Sequence, residues 1–278
     1  MAKPIVFIHG AWLTPLSWEN FEQFFKARGH EVLLPEWPRK ADGVEAQRRD
    51  PSKLAGLGIK EIVDYHDALI RQLPEPPLII GHSFGGLFTQ ILLDRGLGAA
   101  GVAMDPGPPK GIYNLPLAAL VSASPVLLHP SKWSGIIELS LKQFTRGFVT
   151  DWSPEDARNA YERYAVPETG RILFQAGTAN LKPGSEATVN FRNPSRAPLL
   201  ITGGSKDLTV PAALSRSIYK QYKKGPARTD YVEFDRPHLL MAGDGWEEVA
   251  SSVAGWLDSL SVAGAEAAPA EASVSRSS

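Results

Sequence analysis

The sequence predicts an α/β fold: about six parallel strands flanked by helices, with a helical segment inserted after the fourth strand. Short aliphatic runs alternate with amphipathic helical stretches, a pattern typical of a parallel sheet covered on both faces. The alternation stops between Asp105 and Ala197 and then resumes. The chain has 278 residues, 43% of them hydrophobic, which is enough to build one large core.

The elements before the interruption follow one another in order. Strands are predicted at residues 4–8, 31–34, 77–80 and 101–104, and helices at 17–28, 59–73 and 84–95. Gly29 supplies the stop signal of the first helix. A polar loop rich in Arg, Asp and Gly separates the second strand from the second helix.

The elements after the interruption complete the sheet. They are a strand at 198–201, a helix at 212–222, a strand at 231–234 and a helix at 246–260. The core is therefore expected to comprise 1–106 and 197–260, with an aromatic-rich insertion at 107–196. Residues 261–278 are rich in Ala, Ser, Glu and Pro, and are expected to be disordered.

Composition excludes several classes of protein. The chain has no cysteine, so disulfides, thiolate metal sites and a cysteine nucleophile are ruled out. Its 29 basic and 30 acidic side chains form no basic stripe, which argues against a nucleic-acid partner. The apolar stretch at 115–128 is broken by Pro116 and Pro125, and only four apolar residues precede His9 at the start. We therefore expect a cytoplasmic protein without a membrane partner; its oligomeric state stays open.

A nucleophile motif lies where the third strand ends and a helix begins. The segment reads Gly81-His82-Ser83-Phe84-Gly85, which is a G-x-S-x-G pattern. A serine at such a strand-to-helix turn has its hydroxyl exposed, and the residues two before and two after must be very small. Ser83 is the predicted nucleophile.

A serine nucleophile needs a base, and the base needs an orienting carboxylate. In this architecture the acid and then the histidine follow the serine, each on a loop after a later strand. Asp207 directly follows the fifth strand and His238 directly follows the sixth. The predicted triad is Ser83, Asp207 and His238. Asp105 also ends a strand and is the main rival for the acid.

The other histidines fit the role of base less well. His30 follows a helix-ending glycine, His66 lies within a helix, and His129 falls in the insertion. His82 occupies an x position of the motif and is expected to point away from the serine hydroxyl. No pair has the spacing of a metal-binding motif, so neither a metal nor another cofactor is expected.

Amide donors for the oxyanion of the reaction are expected at two places. One is the N–H of Phe84, directly after the nucleophile, and the other is the N–H of Ala11 in the loop after the first strand. Candidate substrate-binding residues complete the predicted site: Trp12, His82, Trp133 and Phe144.

These motifs together resemble the α/β-hydrolase superfamily over nearly the whole of residues 5–260. The matching segments are Ile8-His9-Gly10-Ala11-Trp12, the motif around Ser83 with Gly86, the run from Gly204 to Pro211, and Pro237-His238. The chain is similar to the compact plant methylesterase and hydroxynitrile lyase group and to bacterial carboxylesterases. Such lyases carry a lysine after the catalytic histidine, where this sequence has Leu239. The resemblance implies that residues 107–196 form a cap over the site.

The resemblance implies a serine hydrolase that cleaves the carboxylic ester, lactone or thioester of a largely apolar small molecule through an acyl-enzyme. Other members use the same triad for C–C bond hydrolysis, cofactor-free haloperoxidation or cyclisation, and these alternatives stay open. A non-catalytic ligand-binding protein of the same fold is a further alternative.

Overall fold

The computed structural model describes residues 2–113 and 132–266. The strands within these residues are β1 Ile5–Ile8, β2 Val32–Leu33, β3 Leu78–His82, β4 Ala100–Met104, β5 Ile136–Ile137, β6 Glu168–Thr169, β7 Leu199–Gly204 and β8 Thr229–Phe234. Six of them form one parallel sheet in the order β2-β1-β3-β4-β7-β8, and β5 and β6 form an antiparallel pair. The predicted fold class is confirmed.

The helices of the described residues flank this sheet. They are α1 Glu19–Lys26, α2 Val44–Arg49, α3 Ile59–Ile70, α4 Phe84–Asp94, α5 Leu141–Phe148, α6 Pro154–Tyr164, α7 Gly170–Gly177, α8 Ala212–Tyr222 and α9 Trp246–Glu266. None of these helices combines the length and the hydropathy that a membrane span requires.

The inner strands are buried on both faces, which explains their continuous apolar runs. Successive side chains of β1 point into two different hydrophobic clusters: Val6 lies in one and Phe7 in the other. Ile79 and Ile80 of β3 alternate in the same way. The sheet therefore separates two apolar layers, and the carboxyl ends of its parallel strands meet at one edge.

The segment predicted as a polar loop contains a helix, α2. Its acidic residue Glu45 lies in the first turn and Arg48 in the last, which suits the helix dipole. Arg48 also donates to the carbonyls of Tyr161 and Ala165, at 2.8 and 2.9 Å. These contacts come from a distant part of the chain, so local sequence did not reveal the helix.

The last helix is longer than the sequence suggested. It was expected to end at residue 260, with a disordered tail from 261, but α9 continues to Glu266. Alanines and glutamate in this stretch are good helix formers, so the composition that suggested disorder also permits the helix to continue. The remaining part of the predicted tail lies outside the described residues.

Candidate active site

Ser83 lies in a strained backbone conformation at the turn between β3 and α4. Its φ is 55° and its ψ is −116°, a region that side-chain-bearing residues rarely adopt. Its N–H donates to the carbonyl of Met104 at 2.9 Å, and its own carbonyl accepts from the N–H groups of Gly107 and Leu87. The surrounding backbone therefore holds the strained turn, as functional sites often require.

The small residues around Ser83 are explained by close backbone contacts. A Cβ on Gly81 would lie 2.1 Å from the carbonyl oxygen of Gly85. A Cβ on Gly85 would lie 2.0 Å from the carbonyl oxygen of Ile8. No side chain fits at these distances, so the start of α4 can approach β1 only with glycine here.

Asp207 and His238 form a short polar contact. Asp207 Oδ2 lies 2.6 Å from His238 Nδ1, and both side chains are fully buried. The other oxygen of Asp207 accepts the N–H groups of Thr209 and Val210, at 2.7 and 2.8 Å. The carboxylate is thus fixed by its own loop and directed at the imidazole.

The same contact determines the tautomer of His238. A carboxylate only accepts, so Nδ1 carries the proton and Nε2 presents a lone pair. His238 Nε2 is buried and has no hydrogen-bond partner within the described residues. An unpartnered buried nitrogen is costly, and a serine hydroxyl or a substrate at this position would satisfy it.

Asp105 lies beside this pair but in a less favourable position. Its Oδ2 is 3.9 Å from His238 Nδ1, beyond hydrogen-bond range. Burial, and then the neighbouring charge of Asp207, raise the pKa of Asp105 well above its usual value. Asp207 lies 2.6 Å from the same nitrogen, so the geometry favours Asp207 as the partner of His238.

The loop after β1 lies directly against Ser83. A Cβ on Gly10 would be 2.9 Å from Ser83 Cβ. His9 Nδ1 lies 2.8 Å from the carbonyl oxygen of Gly10, and its Nε2 lies 2.6 Å from Glu36 Oε1. The Gly10 carbonyl and the Ala11 N–H share one planar peptide group, so this contact also orients the Ala11 N–H.

Neither predicted oxyanion donor has a hydrogen-bond partner among the described residues. The Ala11 N–H donates to no group of residues 2–113 or 132–266. Phe84 is the first residue of α4, and its N–H therefore has no partner within the helix. The side chains of Ala11 and Phe84 are buried, which keeps the two amides away from open solvent.

Trp12, one of the predicted pocket residues, is connected to the triad histidine through Phe148. Its ring contacts Phe148 edge-on, with centroids 6.3 Å apart, and Phe148 in turn contacts the ring of His238 at 5.1 Å. Phe144 stacks on Phe148 at 4.9 Å and is fully buried, one layer further away. Phe148 of the inserted segment thus contacts the base, and Phe144 packs behind it.

The other two predicted pocket residues, His82 and Trp133, contact His238 and Phe174 respectively. His82 is buried and donates from Nε2 to the carbonyl of His238 at 2.8 Å, so it supports the histidine loop from within. Burial, and then the nearby His238, hold the pKa of His82 well below its usual value. Trp133 is partly exposed and stacks on Phe174 at 4.2 Å.

The remaining histidines lie where the sequence placed them, insofar as they are described. His66 is buried, and its Nδ1 donates to the Ile62 carbonyl. Burial lowers its pKa to about 4, so it is neutral at pH 7. His30 is half-buried beside the Lys3 carbonyl, 2.8 Å away. His129 lies outside the described residues.

Sequence reasoning did not single out Phe148, although it contacts His238. Phe144, one helical turn earlier on α5, was selected instead. The i, i+4 spacing of the two residues places their rings on the same face of the helix, and this spacing could have indicated Phe148 as well. The α5 helix also reaches both triad loops: the Phe148 carbonyl accepts from Leu239 N–H, and the Gly147 carbonyl accepts from Thr209 Oγ1.

The described residues contain one group with the proximity of metal ligands. Donor atoms of Asp105, Asp207 and His238 all lie within 4.8 Å of one another. Asp207 and His238 already bind each other through the 2.6 Å contact, so these two atoms are not free to coordinate an ion. The contact is the one that a catalytic triad requires. The expectation that no metal is required stays a prediction.

The sheet order, the strained serine at the end of β3, and an acid and a histidine after later strands define a hydrolase of the α/β type. The model of the alpha/beta hydrolase family matches residues 5–252, and the chain belongs to this family. No curated protein matches the sequence.

Solved structures share the fold over nearly their full length. The monoacylglycerol lipase of Paleococcus ferrophilus is 20% identical, with a TM-score of 0.67 over 93% of this chain and 96% of that one. A pyrethroid hydrolase of Sphingobium faniae JZ-2 is 18% identical, with a TM-score of 0.64 over 93% and 98%. Polyneuridine aldehyde esterase is 15% identical, with a TM-score of 0.61 over 91% and 100%.

Proposed function

We propose that this protein is a serine hydrolase that cleaves the carboxylic ester of a largely apolar small molecule, with lactones and thioesters as close variants. One observation carries the proposal. His238 is held by Asp207 at 2.6 Å through Nδ1, and its Nε2 is buried without a hydrogen-bond partner among the described residues. The carbonyl of His238 accepts from His82, the residue directly before the strained Ser83, at 2.8 Å. That combination provides a base aimed away from its acid and a nucleophile on a rigid turn.

The proposed reaction proceeds through an acyl-enzyme. Ser83 Oγ attacks the ester carbonyl while His238 Nε2 removes the hydroxyl proton, and the carbonyl oxygen becomes an oxyanion between the Ala11 and Phe84 amides. The imidazolium then gives its proton to the leaving alcohol as the C–O bond breaks. Water, deprotonated by the same nitrogen, attacks the acyl group and releases the acid and free Ser83.

Asp207 and the two amides supply most of the electrostatic stabilisation in this scheme. The buried carboxylate balances the imidazolium that forms next to it, and losing one oxyanion donor costs about 10²- to 10³-fold in kcat in enzymes of this kind. The apolar substrate is inferred from the aromatic rings of Trp12 and Phe148 on the side of His238. Several structural neighbours are named as a lipase, an esterase and pyrethroid hydrolases, which fits ester cleavage.

A fluorophosphonate probe and a panel of chromogenic esters test the proposal together. We expect the folded protein to be labelled on Ser83 and to hydrolyse butyrate, octanoate and benzoate esters faster than short, polar ones. Ser83→Ala is the control and should abolish both labelling and turnover. A folded wild-type protein that is neither labelled nor active on any ester, lactone or thioester would contradict the proposed function. Faster turnover of the polar esters would contradict the apolar substrate class alone.

A further inference from the structure

A buried ion pair lies behind the loop that follows β1. Lys40 Nζ is 2.9 Å from Glu168 Oε2, and neither side chain has any solvent exposure. Lys40 lies in the loop between β2 and α2, whereas Glu168 belongs to β6 of the inserted segment. Burying two charges is expensive unless each finds further partners, so the remaining contacts of the pair show what it does.

Two further hydrogen bonds of the pair go to the backbone beside the oxyanion donor. Glu168 Oε2 accepts the N–H of Trp12 at 3.3 Å, and Lys40 Nζ donates to the carbonyl of Leu13 at 2.7 Å. Between these two, the Trp12 carbonyl accepts from the N–H of Val166 at 2.9 Å. Three successive peptide groups after Ala11 are therefore each held by a partner outside the loop.

The loop needs such support because its backbone is strained. Trp12 has a φ of 62°, in the left-handed region that a large side chain rarely occupies. Its indole N–H is also fixed, on the Ile137 carbonyl at 3.1 Å. Strained residues of this kind persist only where the surrounding structure over-determines them. A relaxed Trp12 would rotate the peptide that joins it to Ala11 and thereby move the Ala11 N–H.

The two ends of the pair are themselves anchored. The loop that carries Lys40 is held by a two-pronged contact of Arg39 with Glu61 and by the Ala41 N–H, which donates to Gln47 Oε1 at 2.6 Å. Glu168 Oε1 accepts the Thr169 N–H at 2.9 Å. The pair therefore joins two fixed segments rather than two mobile side chains.

We infer that Lys40 and Glu168 are positioning residues for the oxyanion hole, so that the inserted segment contributes to the catalytic machinery. The inference rests on the proposed function. Lys40 also has an electrostatic role: the Glu168 carboxylate lies one residue from the oxyanion donor, and the ammonium group neutralises a charge that would oppose the developing oxyanion.

The double variant Lys40→Met/Glu168→Leu separates positioning from simple stabilisation. Replacing a buried ion pair by apolar groups of similar volume often leaves stability unchanged. We therefore expect its melting temperature to lie near that of the wild type and above that of Lys40→Met, which leaves a buried carboxylate unpaired. Activity should not recover in the same way: kcat should fall roughly 10- to 100-fold, with KM changed less than about threefold, because the loop loses its two outer contacts.

The ratio of rates on an ester and its thionoester reports on the oxyanion hole itself. Sulfur fits a hole built for oxygen poorly, so the wild type should strongly prefer the ester, and the double variant should lose much of that preference. Arg163→Met is the matched control, because Arg163 joins the insertion to the core through Glu19, at 2.7 and 2.5 Å, without touching the loop. It should retain the wild-type kcat and ester preference.

Amide hydrogen exchange over residues 11–14 gives a readout independent of turnover. Exchange should accelerate at least about tenfold in the double variant and stay unchanged in Arg163→Met. A folded double variant with wild-type kcat, ester preference and exchange would overturn the inference while leaving the proposed function intact. Absence of labelling and turnover in the wild type would instead refute the proposed function, and the exchange result would still decide whether the pair holds the loop.

Discussion

The assignment of the acid can be tested by comparing Asp207→Asn with Asp105→Asn. In Asp207→Asn the side-chain oxygen can still accept the amides of Thr209 and Val210, so the loop should keep its shape. The new NH₂ group then faces His238 Nδ1, where the carboxylate oxygen lay 2.6 Å away. The imidazole must move its proton to Nε2, and Nε2 can no longer accept the proton of Ser83.

The expected loss in kcat/KM for Asp207→Asn is roughly 10³- to 10⁴-fold, the size known for losing this carboxylate from a serine triad. This corresponds to about 4–5.5 kcal/mol of activation free energy. Asp105→Asn removes a carboxyl that lies 3.9 Å from the same nitrogen and whose pKa is raised by burial and by Asp207. Its kcat/KM should stay within roughly fivefold of wild type, or about 1 kcal/mol.

Both variants would be assayed on one activated ester, with active sites titrated by a fluorophosphonate and folding checked by circular dichroism. The reasoning fails if Asp105→Asn shows the large loss and Asp207→Asn does not. Comparable large losses in both variants would show that the two carboxyls act as a unit, which would also contradict the assignment made here.

The remaining predictions concern stability. Gly85→Ala should prevent stable folding or lower the free energy of unfolding by about 3 kcal/mol or more, because its Cβ would lie 2.0 Å from the Ile8 carbonyl oxygen. Gly255→Ala in α9, where a Cβ meets nothing within 4 Å, is the matched control and should stabilise by about 0.5–1 kcal/mol. His66 has a pKa of about 4 in the folded protein, against an ordinary value of 6.5. As the pH falls from 6.5 to 4, the unfolded state binds a proton that the folded state does not bind, so the free energy of unfolding decreases. Urea unfolding at pH 7 and pH 5 should show about 2 kcal/mol less stability at pH 5 from this residue, and His66→Phe should remove that difference. Asp105 acts in the opposite sense, because its raised pKa means that the folded state binds the proton more tightly than the unfolded state. The free energy of unfolding therefore decreases as the pH rises above the ordinary pKa of an aspartate. Asp105→Asn lacks this loss, so its stability relative to the wild type should be greater at pH 8 than at pH 5.

The strands and helices that depend on local hydrophobic patterns could be predicted from the sequence. The inner strands are continuous apolar runs because both of their faces are buried, and residues 77–80 and 198–201 needed no other information. The helix α8 agrees with its predicted bounds, 212–222. The short helix α2 was missed, since the contacts of Arg48 that support it come from residues more than a hundred positions away.

The candidate site divides in the same way. The order of serine, acid and histidine along the chain, each at the end of a strand, was sufficient to select Ser83, Asp207 and His238 as a hypothesis. Chain order favoured Asp207 but left Asp105 as its rival, because both end a strand. The choice depends on a difference of 2.6 against 3.9 Å to one nitrogen, which only the packing of the two loops determines.

The sequence by itself determined the parallel sheet, the turn that requires Gly81 and Gly85, and the candidate nucleophile and base, because these depend on periodicity and on residues adjacent in the chain. The tertiary structure alone decided which carboxylate faces the histidine and how the loop after β1 is held. Lys40 and Glu168 lie 128 positions apart, and no local pattern relates them. Their contact exists because the inserted segment folds back onto the core, where a buried charge must find its partner.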